Sequence, residues 1–428
     1  MRSTVETYNK KNWKKLFFTI WGGQAFSIFG SSLVEFSLIW YLTDKTGSAT
    51  VLSINMLFYL LPALFFAPFI GALVDRWNRR QVMIIADMFI ALTTLLIMAL
   101  FYWDIILPWH IYIVIFVRSS AGLFHYTAMQ ASTPLMVPED QLNRVNGLNQ
   151  ALRGGMNIIA PPIGALMISA IPMHQILMVD IITAALAILP LFFIMIPQPK
   201  NVLQDKVTIE NLLVDIRDGV VYARKWKGMM QVMLISLLVN FAFNPINALM
   251  PLVIKKHFLG GALQLSWVEM AIGIGIVVGG VTLSVWGGFK KRMITIMLCL
   301  MLTGLGFALI GILPSSGILY CVGIMFVIGI VLPFIDGLIY SIIQSKGSPE
   351  YQGRLMTLLT FSSKVSVPVS MVIAGPIADR FGVLFWYQYG GLMIVALAVF
   401  AAFSPALMNV DKGNDFKDEV LNEIVQPT

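Results

Sequence analysis

The stretch GILYCVGIMFVIGIVLPFIDGLIYSIIQ, residues 317–344, contains one formal charge, Asp336. A run of about 17 to 25 mostly apolar residues is the length that crosses a bilayer's hydrocarbon core as a helix. Eleven further runs of this kind lie at 16–42, 50–74, 81–103, 109–133, 144–170, 176–197, 229–254, 265–288, 293–313, 354–378 and 384–409. Twelve spans predict an all-α polytopic membrane protein. Several spans exceed the minimum length and contain Gly or Pro, such as Gly22, Gly23 and Gly30 in the first and Pro161 and Pro162 in the fifth. Tilted or kinked helices are therefore expected.

Composition agrees with lipid as the solvent. Apolar residues make up 58% of the 428 residues and charged residues only 12%, about half the charged share of a soluble domain. One soluble core of this size cannot hide so much apolar surface. Cys299 and Cys321 both lie in apolar runs, and the four histidines, His110, His125, His174 and His257, match no metal-ligand spacing. Neither a disulfide framework nor a metal centre is expected. No cofactor is expected either.

The net charge of +7 reports topology. Of the 29 Lys and Arg, 22 fall on the side that holds both termini, four on the opposite side (Lys45, Lys255, Lys256 and Arg380) and three inside spans (Arg118, Arg153 and Lys364). By the positive-inside rule both termini are cytoplasmic, the protein is a multi-pass inner or plasma membrane protein, and nucleic acid is not a partner. The first span is too long, and its flank too poor in small residues, to be a cleaved signal peptide.

The one long polar stretch divides the chain into residues 1–197, six spans; 198–228, a cytoplasmic linker; 229–410, six more spans; and 411–428, an acidic cytoplasmic tail. Within the linker Ile209, Leu212, Leu213, Ile216 and Val220 recur at helical spacing, which predicts an amphipathic helix on the inner membrane face. The halves answer each other at a separation of about 210 to 214 residues. Tyr126 and Gln130 match Tyr340 and Gln344; Pro138, Glu139 and Arg144 match Pro349, Glu350 and Arg354; Ile159 to Ile163 matches Ile373 to Ile377. Matches in order at a near-constant offset predict two pseudo-symmetric six-helix bundles.

Three motifs then resemble those of the major facilitator superfamily. Gly71-Ala-Leu-Val-Asp75-Arg76-Trp77-Asn78-Arg79-Arg80, between spans 2 and 3, is similar to its cytoplasmic loop motif. Arg118-xxx-Gly122 in span 4 resembles its intramembrane Arg motif, and Gly155-xxxx-Ala160-Pro161-Pro162-Ile163-Gly164-Ala165 in span 5 resembles its antiporter motif. Ile20 to Ala25, Trp40 to Ala49 and Asn244 to Ala248 look further like the macrolide-efflux branch of drug:proton antiporters. The resemblance implies the major facilitator fold. It also implies a conformational latch at Gly71, Asp75, Arg76, Arg79 and Arg80, and a contact between halves at Gly155, Pro161, Pro162 and Gly164. Asn78 stands where the family usually has Gly, which is tolerable because Asn accepts the left-handed conformation. The second-half counterpart, Leu283 to Arg292, keeps Lys290, Lys291 and Arg292 but lacks the Asp.

Charges in hydrocarbon are costly. Those placed inside spans are Glu35, Arg118, Arg153, Asp336 and Lys364. By depth Glu35 is expected to pair with Arg118, and Asp336 with Lys364. Such pairs either neutralise each other as structural elements, or Glu35 and Asp336 carry the coupled proton, since burial and a nearby cation act oppositely on a carboxyl's proton affinity. Glu269 and Asp180, near the outer ends of spans 8 and 6, stand in reserve. Aromatic and amide side chains suited to an amphipathic drug are Trp21, Gln24, Phe26, Phe29, Phe36, Phe58, Tyr59, Asn240, Phe241, Phe243, Asn244 and Asn247.

The expected function is secondary active efflux by alternating access, with protons exchanged for an amphipathic compound such as a macrolide. Export of a siderophore, peptide antibiotic or lysolipid is the alternative. The chain has no Gly-xxxx-Gly-Lys-Ser/Thr loop for an ATP-driven pump and no converging catalytic set for a membrane enzyme. A membrane sensor on the same fold is a weaker reading. The expected partners are the small substrate, protons and the lipid bilayer, and the protein is expected to act as a monomer.

Overall fold

A backbone in hydrocarbon finds no water, so every N–H and C=O must be satisfied within the segment itself. Helices meet that requirement. The computed structural model describes residues 12–198 and 209–412. Among these residues there is no strand, and twelve helical segments are long and apolar enough to cross a membrane.

The first six are α1 (Trp13–Thr46), α2 (Ala49–Arg76), α3 (Arg79–Tyr102), α4 (Pro108–Met136), α5 (Leu142–Ala170) and α6 (Met173–Phe193). Then come α7 (Ile209–Lys225) in the linker, α8 (Met229–Lys256), α9 (Ala262–Trp286), α10 (Arg292–Ile310), α11 (Ile318–Lys346) and α12 (Pro349–Phe381). The last span is a wide π turn, Trp386–Gly390, continued by α13 (Gly391–Phe403). Local chemistry sets many of the ends. Ser48 caps α2 by accepting from the Val51 N–H, and Gly47 closes α1 in the left-handed conformation. Prolines open α4 and α12, where the first-turn N–H would have no partner anyway. Helix α5 runs unbroken through Pro161 and Pro162.

Contacts divide the chain into two units. One comprises the described residues of Met1–Asp205 with Gly260–Met270, and the other those of Lys206–Leu259 with Ala271–Thr428. In the first unit α1 packs against α5 and α6, and α3 against α4 and α6. In the second, α8 packs against α12 and α13, and α10 against α11 and α13. Each of these four helix pairs thus has its counterpart in the other unit, as the repeat predicts.

Helix α7 groups with the second unit. Tyr222 stacks flat on Tyr351 of α12, with ring centroids 4.6 Å apart, and its hydroxyl donates to Ser348 Oγ at 3.1 Å. Asp218 pairs with Arg354 at 3.1 Å, and the buried Trp226 donates to the Val410 carbonyl. The C-terminal turns of the linker helix are therefore packed on protein. The apolar positions Ile209, Leu212, Leu213 and Ile216 have side chains outside the described residues, as do residues 413–428 of the acidic tail.

The tightest approach in the first unit is between α1 and α6. A Cβ at Gly30 would collide with Thr183 Oγ1 and lie 3.1 Å from the Asp180 Cα, whereas one at Gly22 would meet nothing within 4 Å. Gly30→Val should therefore destabilise the protein by about 1–3 kcal/mol, the usual cost of overpacking. Gly22→Ala should not. Thermal unfolding of the two purified variants checks the difference.

Candidate functional site

The first unit holds a network of polar side chains along its helices. Nearest its far end, opposite the start of α1, sits Asp180 of α6, which is fully buried. Three donors reach its carboxylate. Arg118 Nη1 of α4 lies 2.6 Å from Oδ2, Thr94 Oγ1 of α3 donates to Oδ2 at 2.7 Å, and Ser31 Oγ of α1 donates to Oδ1 at 2.9 Å. Arg118 also donates to Thr94 Oγ1. A buried charge persists when its partner and hydrogen bonds replace water, and Asp180 has both.

This arrangement corrects the expected pairing of Arg118 with Glu35. Helix α6 packs against both α1 and α3 and carries Asp180 to the guanidinium. Glu35, one turn beyond Ser31 on α1, is half-buried and forms no ion pair among the described residues. A further charge inside a span, beyond the five expected, is Asp87 of α3, which is 2% exposed. Gln24 Nε2 of α1 donates to Asp87 Oδ2 at 3.2 Å, and His125 Nε2 of α4 stands 3.6 Å from the same oxygen. The signal for Asp87 was present, because 81–103 was read as a span and this residue lies inside it.

At the starting end of the unit, the loop motif closes around α4 and α6. Arg79 pairs with Asp75 at 3.0 Å and donates through Nη1 to the Ala131 carbonyl at 2.6 Å. Arg80 donates to the carbonyls of Leu191 and Phe192, which lie in the last turn of α6 and have no acceptor role left within their helix. Asn78 does not adopt the left-handed conformation expected for it. Its φ is −68°, and its side chain accepts from the Gln81 N–H as the cap of α3. In the second unit Arg292, at the start of α10, donates to the Ser341 carbonyl and Ser345 Oγ near the end of α11. The basic contact of the repeat survives there although the Asp is missing.

Other expected residues fall in varied surroundings. Arg153 of α5 is exposed and lies over the Tyr126 ring, 3.9 Å from its centroid, and Gln130 donates to the Tyr126 hydroxyl at 2.8 Å. Trp21 donates to Asn149 at 2.8 Å. Asp336 and Lys364 are both exposed, and no ion pair joins them among the described residues, so the second expected pair is corrected too. Two turns of helical rise fix depth but leave the direction of each side chain open.

Gly155 has open space beside it, whereas Gly164 faces Phe36 of α1, whose ring a Cβ there would approach to 2.9 Å. Phe36 is consequently buried inside the unit, as is Gln24. Phe243 packs edge-on against Phe307, and the amides of Asn240, Asn244 and Asn247 donate to carbonyls one turn back on α8. Phe26 and Tyr59 are exposed, and Phe29 is half-buried.

Two units of membrane-spanning helices, the first holding a buried Arg118–Asp180 pair, define a polytopic membrane protein. The chain belongs to the Major Facilitator Superfamily, whose family model matches residues 20–371. It is 35% identical over 399 residues to a macrolide efflux protein A of Streptococcus pyogenes, covering 92% of this chain and 96% of the relative. It is 24% identical to the multidrug efflux pump Tap of Mycolicibacterium fortuitum, covering 89% of this chain and 94% of that one. A bacterial homologue of the iron transporter ferroportin, 12% identical, superposes with a TM-score of 0.69 over 90% of this chain and 98% of that one, a likeness of fold alone. The protein is a multi-pass transporter of the cell membrane.

Removing one partner of the Arg118–Asp180 pair strands a buried charge, at a cost of about 3–5 kcal/mol. Arg118→Met and Asp180→Asn should each lower the unfolding midpoint, and the double variant should recover most of the loss. A double variant no more stable than the singles would show that the pair is not the unit of stability.

Proposed function

We propose that this protein is a secondary active exporter that exchanges protons for amphipathic compounds, macrolides foremost, by alternating access. The observation that carries this reading is the 35% identity, over nearly the whole of both chains, to a macrolide efflux protein. Carboxylates inside the spans supply sites for a coupled proton, and the chain has no nucleotide-binding loop. Glu35 is the first coupling candidate because Arg118 is already balanced by Asp180 and leaves Glu35 without an ion-pair partner among the described residues. Asp336 is the second, and it too forms no ion pair among the described residues. Both termini face the cytoplasm on the Lys and Arg distribution. The protein acts as a monomer.

The Asp75–Arg79 pair and the Arg80 contacts to α6 fasten three helix ends together. We assign them the role of a latch that favours one state of the transport cycle. A bias of about 1–2 kcal/mol, the size of an ordinary coupling energy, suffices for that.

Vesicles containing the purified protein, given a pH gradient and no ATP, should move radiolabelled erythromycin. Movement that waits for ATP would sink the proposal, and movement of a siderophore, peptide antibiotic or lysolipid without erythromycin would redirect it to the alternative cargo.

Asp75→Asn should slow turnover about 5- to 30-fold, the factor corresponding to such a bias, and leave erythromycin binding nearly unchanged. Binding lost with turnover intact would contradict the latch. Glu35→Gln should abolish gradient-driven export. Full export in both Glu35→Gln and Asp336→Asn would remove the two carboxylates from the mechanism.

A further inference from the structure

The two polar clusters inside the first unit are in register. Gln24 and Ser31 on α1, Asp87 and Thr94 on α3, and Arg118 and His125 on α4 are each seven residues apart, and α4 runs opposite to α1 and α3. Seven residues are two helical turns, about 10.5 Å. The Gln24–Asp87–His125 layer therefore repeats the Ser31–Thr94–Arg118 layer two turns closer to the start of α1.

The chemistry of the two layers differs. Asp180 has three donors, one of them a guanidinium that never loses its charge. Asp87, equally buried, has one amide donor at 3.2 Å and an imidazole nitrogen at 3.6 Å, which is charged only when the ring is protonated. Two polar atoms beside it are buried with no hydrogen-bond partner among the described residues, namely His125 Nε2 and Gln24 Oε1. A buried carboxylate so thinly supported is satisfied when a proton joins the site. On His125 the proton makes an ion pair with Asp87. On Asp87 it gives an O–H donor that the free Gln24 Oε1 can accept.

We propose that Asp87 and His125, with Gln24 as their amide partner, form a proton-binding site of the transport cycle, separate from the Arg118–Asp180 pair and from Glu35. The proton comes from water and returns to it, with no other bond made or broken. The groups facing Asp87 are His125 from α4, Gln24 from α1 and, one layer away, Asp180 from α6 with its charge held by Arg118. Helix α2, which also touches α3, has Tyr59, Asp75 and Arg76 as its ionisable residues, and Asp75 is engaged by Arg79. Having an imidazole partner rather than a guanidinium makes this layer the switchable one. The proposal rests on the reading of the protein as proton-coupled, and its test separates the two.

The full chain in phospholipid nanodiscs is examined by infrared difference spectroscopy between alkaline and acidic buffer. Asp87→Asn should delete one protonated-carboxyl band that Glu35→Gln retains. His125→Gln, which keeps the carboxyl and most of the packing, should move the midpoint of that band by about one pH unit or more, a tenfold change in proton affinity. The chain has four histidines, so nitrogen-15 labelling follows His125 directly in the unaltered protein, where its ring should titrate together with the Asp87 band. A band that persists in Asp87→Asn, or a midpoint unmoved in His125→Gln, overturns the site. In vesicles, gradient-driven erythromycin export by Asp87→Asn, whose amide cannot take up the proton, should fall by more than the roughly tenfold that one unit of proton affinity represents. Full export despite loss of the band overturns its place in the cycle. Export by the unaltered protein that ignores the pH gradient defeats proton coupling itself, while the infrared band still decides whether Asp87 binds a proton.

Discussion

Hydrocarbon offers no water to a polar group, and the rest of this structure follows from that constraint. It makes the chain helical from end to end of each span, because only a helix satisfies its own backbone. It also obliges every buried charge to find a partner among neighbouring helices. Asp180 answers with Arg118, Thr94 and Ser31, drawn from three other helices. The ion pair thus ties α1, α3, α4 and α6 together as well as neutralising a charge. The absence of a side chain at Gly30 lets α1 come near enough to α6 for Ser31 to take part.

The same constraint takes another form at the starting end of the first unit. There the last carbonyls of α6 have no helical donors, and Arg80 supplies them. Arg79 divides itself between a carboxylate on α2 and a carbonyl on α4. In the second unit Arg292 keeps the contact to the fourth helix of its repeat without the Asp that Arg79 has. The basic residue, present in both units, makes the helix-end contact in each, and in the first unit it also pairs with an Asp.

Helix α7 is held to the second unit by a stacked tyrosine pair, a hydroxyl hydrogen bond and the Asp218–Arg354 ion pair. A linker so fastened contributes to the packing of α12 near its first turn. Arg354 is also the residue that answers Arg144 in the repeat.

The sequence by itself determined the number of helices, their approximate limits, the division into two repeats and the residues of the loop motif. These properties are local. Span length and charge content are read along one segment, and a repeat is read by comparing two. Partnership was decided only by the tertiary structure. Depth alone made Glu35 a fair partner for Arg118, yet the guanidinium belongs to Asp180, because the rotation of each helix and the choice of its neighbour fix which side chains meet. For the same reason Phe36 and Gln24, read as cavity residues, are buried within the unit, and Asp336 and Lys364 do not meet. Asp87 was visible as a carboxylate inside a span, but its layer with Gln24 and His125 required two helices of one direction and one of the other to be brought together. Seven-residue spacings on separate segments acquire meaning only when packing aligns them, since nothing in a linear chain records the register between helices.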